Sequence, residues 1–369
     1  MNELYFDNVT DDFGTDETPS SGKGDEPLSH GLFILQVVSK FLASYLMMLL
    51  LLVGIVGNSI SIVVFFRRRK QDRASATYLS VLALVDLVNL SLGINAWLVQ
   101  YLSYVSNGVL DIRSKTKTDG ACAVQMHVYY VGLTMSAWIL IIFTMERCLV
   151  VWFPLKMSAT LNSPTKRKIL LTGLFVLANL ARAIFGPYAG LSSRRGCSNN
   201  TARMPVVMQV LYDLLMIGLI NVLPCLLIPI LNVLVFMGIQ KNRLKTSKSQ
   251  QTLDLRCLRN LMIASTFQVL FLSPAAAIQI FFRVIQETRY DGMSKNAVAF
   301  LMELNLLSMS LVRVNYCVNP IIYTLSLDYY RQELKRILTV CCPRWALKMA
   351  ESQQTSSRTR LTSVMPPPQ

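Results

Sequence analysis

Three groups of residues stand where polar chemistry is costly. Asp86 lies mid-run in "LALVDLVNL", Glu146-Arg147-Cys148 closes another apolar run, and "NYCVNPIIY" places Asn315, Asn319 and Pro320 inside a third, Ala297 to Leu325. A carboxylate at the centre of a bilayer costs at least ~2.5 kcal/mol. It must be neutralised by a proton or a cation, or solvated by a polar cavity. Ser136, Asn315, Asn319 and Asn58 are the candidate partners of Asp86; a purely structural, protonated Asp is the alternative. Asn315 and Asn319 are one helical turn apart and share a face. Pro320 removes a backbone donor and lets the helix bend, and Tyr323 lies one turn further on. The cluster reads as the hydrated segment of a helix that must change shape. Glu146 beside Arg147 is either the working pair of a switch or an interfacial ion pair with a snorkelling arginine.

Other chemistries have little to stand on. The 369 residues hold two His and no CxxC, HExxH, GxGxxG or GxSxG. A metal-dependent or dinucleotide enzyme is excluded on that basis, and no enzymatic activity is expected. Hydrophobic residues make up 53% and charged ones 15%, where a soluble domain would be nearer a quarter charged.

The elements that must position these residues are membrane helices. Apolar runs fall at roughly 36–66, 76–104, 121–153, 169–190, 206–239, 257–285 and 297–325, each about long enough to cross a ~30 Å hydrocarbon core. The fourth is the weakest, because Asn179 and Arg182 interrupt it. A six-helix count would put both termini on one side. The partition expected is an acidic disordered arm (1–32), a seven-helix bundle (33–326), an amphipathic helix (327–342) and a disordered tail (343–369). No removable signal peptide is expected, since no charged n-region and cleavage site precede the first run.

Charge sets the orientation. Arg67, Arg68, Arg69, Lys70 and Arg73 follow the first run; Lys156, Lys166, Arg167 and Lys168 follow the third; Lys241, Arg243, Lys245, Lys248, Arg256 and Arg259 follow the fifth; Arg331, Lys335 and Arg336 follow the seventh. Positive loops mark the cytoplasmic side, so the arm is extracellular and the tail cytoplasmic. The net charge of +15 is then mostly an inner face that meets anionic lipid, and nucleic-acid binding is not expected. Asn8-Val9-Thr10 becomes a glycosylation sequon on the outer arm. In this topology Cys122 and Cys197 alone face the oxidising side, and would join the third helix to the loop between the fourth and fifth. Below Cys122 a stripe of Gln125, Tyr129, Leu133, Ser136, Leu140, Phe143 and Arg147 steps by three or four residues, and from Cys122 to Arg147 rises about 37 Å.

Taken in order, Asn58, Asp86, Cys122 with Cys197, Glu146-Arg147, Pro224, Pro274 and Asn319-Pro320-Ile321-Ile322-Tyr323 resemble the landmarks of rhodopsin-like (class A) G-protein-coupled receptors. The resemblance covers about residues 36–342. It implies a plasma-membrane seven-helix receptor that engages a heterotrimeric G protein through Arg147. Asp254 resembles the acid that pairs with this arginine at rest; a solvated loop charge is the alternative. Asp86, Ser136, Asn315 and Asn319 resemble a sodium site. "SLDYYRQELKRIL" before Cys341-Cys342 is similar to the family's eighth helix with a palmitoylated end, and the hydroxyls from Ser352 to Ser363 would be an arrestin-binding phosphorylation cluster.

The chain also departs from the pattern. Leu272 stands two residues before Pro274 where Trp is usual, the fourth helix lacks its central Trp, Asn232 stands where Tyr is usual, and Cys148 where Tyr is common. Tyr129 replaces the Asp of amine receptors, and Arg313 replaces the Schiff-base Lys of opsins. Amine and retinal ligands are thereby disfavoured. Intramembrane charges at Arg182, Arg313, Asp213 and Glu303 are pocket candidates, with mutual ion pairing as the alternative. Gln125, Tyr129 and Tyr130 are further candidates, or interhelical packing. The mixed polarity, with Arg194 and Arg195 in the second outer loop, fits a neuropeptide better than a lipid. The competing readings are a small-molecule receptor of the same fold and a polytopic transporter or channel, which would show an inverted repeat; none is evident between the halves.

Overall fold

In the computed structural model, residues 30–68, 73–105, 119–153, 163–192, 196–199, 204–242, 262–263, 265–278, 280–281 and 295–341 are described. They divide into two compact units, the second beginning at Tyr323. Helix α1 is built from His30–Phe41, a π-helical turn Leu42–Leu46, and Met47–Arg68. Helices α2 (Arg73–Val105), α3 (Asp119–Trp152) and α4 (Pro164–Ala183) follow. A hairpin of β1 (Ala189–Ser192) and β2 (Gly196–Asn199) precedes α5, which combines Val206–Asp213, a π segment Leu214–Val222 and Leu223–Asn242. Then come α6 (Ser265–Ile278), α7 (Lys295–Ser326) and α8 (Asp328–Cys341).

Apolar length alone marks four spans among the described residues: Met47–Arg67, Ala76–Gly93, Asp119–Trp152 and Val206–Lys241. Helices α4 and α7 fall outside that set; α4 carries Lys166, Arg167, Lys168 and Arg182 on 20 residues. The polarity of the bundle is inverted relative to a soluble protein. Leu49, Leu177 and Val207 are exposed, whereas Asn58, Asp86 and Asn319 are buried. Such an arrangement suits lipid outside and backbone groups paired within helices.

Helix α3 is the hub, packing against α2, α4, α5 and both strands. Prolines and glycines decide how closely its neighbours approach. Pro224 cannot donate a backbone hydrogen bond, and the preceding turn relaxes to π geometry. The Leu219 carbonyl in that turn accepts the Trp138 indole of α3 at 3.1 Å. Further along α5, a Cβ on Gly238 would sit 2.5 Å from Val151, so α5 lies directly on α3 there. Pro164 occupies the first turn of α4, where its missing N–H costs nothing.

The fourth apolar run ends as a helix at Ala183, earlier than the expected 190, and gives way to a 3-10 turn at Gly186–Tyr188 and then to β1. Its two interrupting residues are accounted for by α3: His127 and Asn179 hydrogen-bond at 2.9 Å, and Arg182 stacks on Tyr130. Helix α1 starts at His30, so the last residues assigned to the outer arm are helical. In the second unit, Tyr330 is buried and packs with Tyr323, ring centroids 5.9 Å apart. Arg331 of α8 donates to the Thr324 and Leu325 carbonyls at 3.3 and 2.8 Å and pairs with Asp328. These contacts tie the start of α8 to the last carbonyls of α7.

Candidate functional site

Asp86 is completely buried. Ser136 of α3 donates to its Oδ1 at 3.0 Å and Asn319 of α7 donates to its Oδ2 at 2.7 Å. Three helices therefore converge on one carboxylate. Asn315 is buried one turn away, yet among the described residues it makes no hydrogen bond to Asp86. Asn58 does not join the carboxylate either. Its amide donates to the Gly54 and Tyr316 carbonyls, both at 2.9 Å. The second of these has a direct cause: Pro320 has no N–H, so the carbonyl four residues earlier, on Tyr316, loses its helical partner. Asn58 supplies the missing donor. Helix α1 can come this close because a Cβ on Gly57 would lie 2.7 Å from the Pro320 ring, and one on Gly54 2.8 Å from the Cys317 Sγ.

One member of this polar centre was not legible in the sequence. Asn89, one turn from Asp86 on α2, is buried against Gly132 of α3, where any Cβ would collide with its amide. Among the described residues, both polar atoms of Asn89, and Oδ1 of Asn58, are buried without a hydrogen-bond partner. Buried amides in that condition are normally met by ordered water.

At the C-terminal end of α3, the two neighbours Glu146 and Arg147 face different ways, as adjacent helical residues must. Arg147 lies over the Phe143 ring, 5.2 Å from its centroid. Glu146 is buried, hydrogen-bonds to Tyr78 of α2, and sits 3.9 Å from Nε of the equally buried Arg167 of α4. Tyr78 in turn stacks on Phe143, centroids 5.2 Å apart. Between α5 and α6, Asn232 and Ser265 exchange hydrogen bonds of 2.9 and 3.1 Å, both buried. This is a reciprocal clasp at the position where the family resemblance led one to expect Tyr.

At the opposite end, Cys122 is buried and disulfide-bonded. Its Sγ lies 3.2 Å from the Gly190 carbonyl of β1, and on β2 Cys197 stands opposite Leu191, the next residue along β1. Tyr130, Phe185, Met204, Tyr212, Met216 and Ile220 form a closed core below the hairpin. Arg182 is 2% exposed, held 4.4 Å over the Tyr130 ring and 5.9 Å from Phe185. Arg182, a pocket candidate by its intramembrane charge, is enclosed by these two aromatic rings. Tyr129 meets Tyr130 edge-on at 5.4 Å and lies within electrostatic reach of Arg313 on α7. Gln125, Asp213 and Arg313 are half-buried. Glu303 is buried and bonded to the Ser39 hydroxyl of α1. Asn8, Asp254 and Cys342 lie outside the described residues, as do the side chains of Cys197 and Cys341.

A buried polar centre thus lies between α2, α3 and α7, and Arg147 stands near the C-terminal end of the hub helix α3. The sequence profile of the 7 transmembrane receptor (rhodopsin family) matches residues 57–323, and the chain belongs to that family. Somatostatin receptor type 1 of Rattus norvegicus is similar at 25% identity, over 88% of this chain and 78% of its own. The Mus musculus form gives the same figures. Cysteinyl leukotriene receptor 1 of Sus scrofa is similar at 20% identity, over 79% of this chain and 82% of its own. The chain is thus a multi-pass plasma-membrane receptor for an extracellular ligand, coupled to G proteins; it is neither an enzyme nor a transporter.

Proposed function

We propose that this receptor binds an extracellular peptide at the end of the bundle nearest the hairpin and drives nucleotide exchange on a heterotrimeric G protein through Arg147. The observation that carries the reading is the buried Asp86 carboxylate held jointly by Ser136 and Asn319, because it ties α7, one residue before Pro320, to α2 and α3. A bend in α7 breaks or remakes these contacts, and differential contacts in two states are what make a switch. The arm is extracellular, with Asn8 glycosylated, and the tail is cytoplasmic, as the positive loops require. Cys122 pairs with Cys197, Cys341 or Cys342 is acylated into the inner leaflet, and the phosphorylated tail recruits arrestin.

A peptide ligand is supported by the likeness to a somatostatin receptor and by the mixed surface of Gln125, Tyr129, Asp213 and Arg313. With Arg182 enclosed, Arg313 beside Tyr129 is the better candidate for a ligand carboxylate or carbonyl. The likeness to a leukotriene receptor supports a small acidic ligand as the second reading.

A sodium ion fits the polar centre. Asp86, Ser136, Asn315 and Asn319 offer oxygen donors of the kind a hard cation takes, and the unmatched amide atoms of Asn58 and Asn89 would hold its water. The ion would supply positive charge to a carboxylate buried away from solvent.

Screening a neuropeptide library with a G-protein reporter identifies the ligand. The coupling mechanism is tested by Arg147→Ala, which should abolish exchange while leaving surface expression near wild type. Asp254→Asn should raise basal exchange if this acid restrains Arg147. Wild-type signalling by Arg147→Ala at matched expression would falsify the coupling mechanism; a silent Asp254→Asn removes only the resting contact.

A further inference from the structure

The clasp between α5 and α6 has two places to close. Asn232 is buried, and its Nδ2 donates to the Ser265 hydroxyl at 2.9 Å. The same Nδ2 reaches the hydroxyl of the next residue, Thr266, at 3.5 Å, the outer limit of a hydrogen bond. Neither hydroxyl depends on Asn232 alone. Ser265 carries one proton and has two acceptors for it, Asn232 Oδ1 and the Met262 carbonyl, both at 3.1 Å. Thr266 donates its own proton to that carbonyl at 2.7 Å, which leaves its oxygen open to an incoming N–H. Ser265 is buried and Thr266 exposed, because adjacent helical residues point about 100° apart.

A buried amide cannot lose its partner without cost, but exchanging one hydroxyl for another costs little. We propose that Asn232 is a positioning residue for α6 with two catch points. It holds α6 at Ser265 in the observed setting, and at Thr266 after α6 turns about its own axis. Two further observations favour a helix that turns. Gln268, one turn from Ser265 and also buried, has its Oε1 without a hydrogen-bond partner among the described residues. The observed setting therefore leaves a polar group on this face of α6 unsatisfied. Met262, one turn to the other side, packs against Cys148 and Val235, and Cys148 follows Arg147 in the chain. A turn of α6 thus changes the packing next to Arg147. Two settings joined by similar contacts are what a bistable element needs. The inference rests on the receptor reading of Arg147 given above, and names the contact that sets α6 beside it.

The test needs neither a known ligand nor a G protein. A trifluoromethyl thiol label is attached at Ile263→Cys, an exposed site on α6, in the purified, detergent-solubilised full-length receptor. Its fluorine NMR spectrum is recorded, and the protein without that cysteine, labelled in parallel, identifies the signals of native thiols. Ser265→Ala should raise the resonance of the second setting relative to the first by roughly three- to tenfold, the equilibrium effect of one hydrogen bond, because only Thr266 then offers Asn232 a hydroxyl. Adding Thr266→Val, which keeps the shape, should abolish that gain, and so should adding Asn232→Leu. Ser265→Thr, which keeps the hydroxyl, should leave the spectrum unchanged. A serine that merely fills space would give the same spectrum with or without the Thr266 hydroxyl. A Ser265→Ala spectrum identical to its parent overturns the proposal, and so does a gain that survives Thr266→Val or Asn232→Leu. Neither result touches the receptor reading, which stands or falls on exchange by Arg147→Ala.

Discussion

Exchanging Asp86 and Asn319 probes the centre of the bundle most directly. Asn319 donates to the Asp86 carboxylate at 2.7 Å. A hydrogen bond to a charged acceptor contributes about 1.5–3 kcal/mol, and Asn319→Ala forfeits that much. Asn319→Asp does more, because it puts a second carboxylate where the donor stood. Two unit charges at that separation repel by about 6 kcal/mol at an effective dielectric near 20, and only a bound proton or cation relieves them. At roughly 2 °C per kcal/mol for a long chain, Asn319→Asp should lower the unfolding midpoint by on the order of 10 °C, clearly more than Asn319→Ala. The double variant Asp86→Asn with Asn319→Asp restores one carboxylate facing one amide and should recover most of that loss. Ser136 can donate to either group, so it does not obscure the comparison. Unfolding of the four purified proteins, followed by a thiol-reactive dye, reads the cycle. A double variant no more stable than Asn319→Asp alone would show that the two side chains are not direct partners, and the link from α7 to α2 would fail.

Two further outcomes follow from the two ends of the molecule. Peptide mapping of the non-reduced protein should recover Cys122 linked to Cys197, since the backbone of β2 carries Cys197 past the point where the Cys122 Sγ meets Gly190; recovery of Cys197 as a free thiol would remove the hairpin from the anchoring of α3. Hydroxylamine-sensitive palmitate labelling should vanish when Cys341 and Cys342 are both changed to Ala, and label that persists would place the acyl chain elsewhere.

What could be read from the sequence, and what could not, divides along a physical line. Asp86, Arg147 and Asn319 declared themselves because a polar group in an apolar run costs free energy wherever it ends up; its presence alone demands a reason. The partner that satisfies it is a separate question. Asn58 looked like another group for Asp86, but its function is to replace the backbone donor that Pro320 lacks, and nothing in sequence spacing says that residues 58 and 316 meet. Asn89 depends on the absence of a side chain at Gly132, a relation between two helices. The hairpin consists of two four-residue strands, too short for an alternating pattern to register.

Arg167 was hidden for a different reason. It sits between Lys166 and Lys168, and the positive-loop rule that fixes topology accounts for all three at once. Yet Lys166 and Lys168 are exposed and Arg167 is buried against Glu146. A single residue step separates a charge that orients the chain from a charge that compensates a carboxylate, because residues one apart point about 100° from each other. Composition rules average over that angle. In a membrane receptor, where basic clusters are expected at every inner helix end, the informative cation is the one whose helical phase turns it inward, and here that phase selects Arg167.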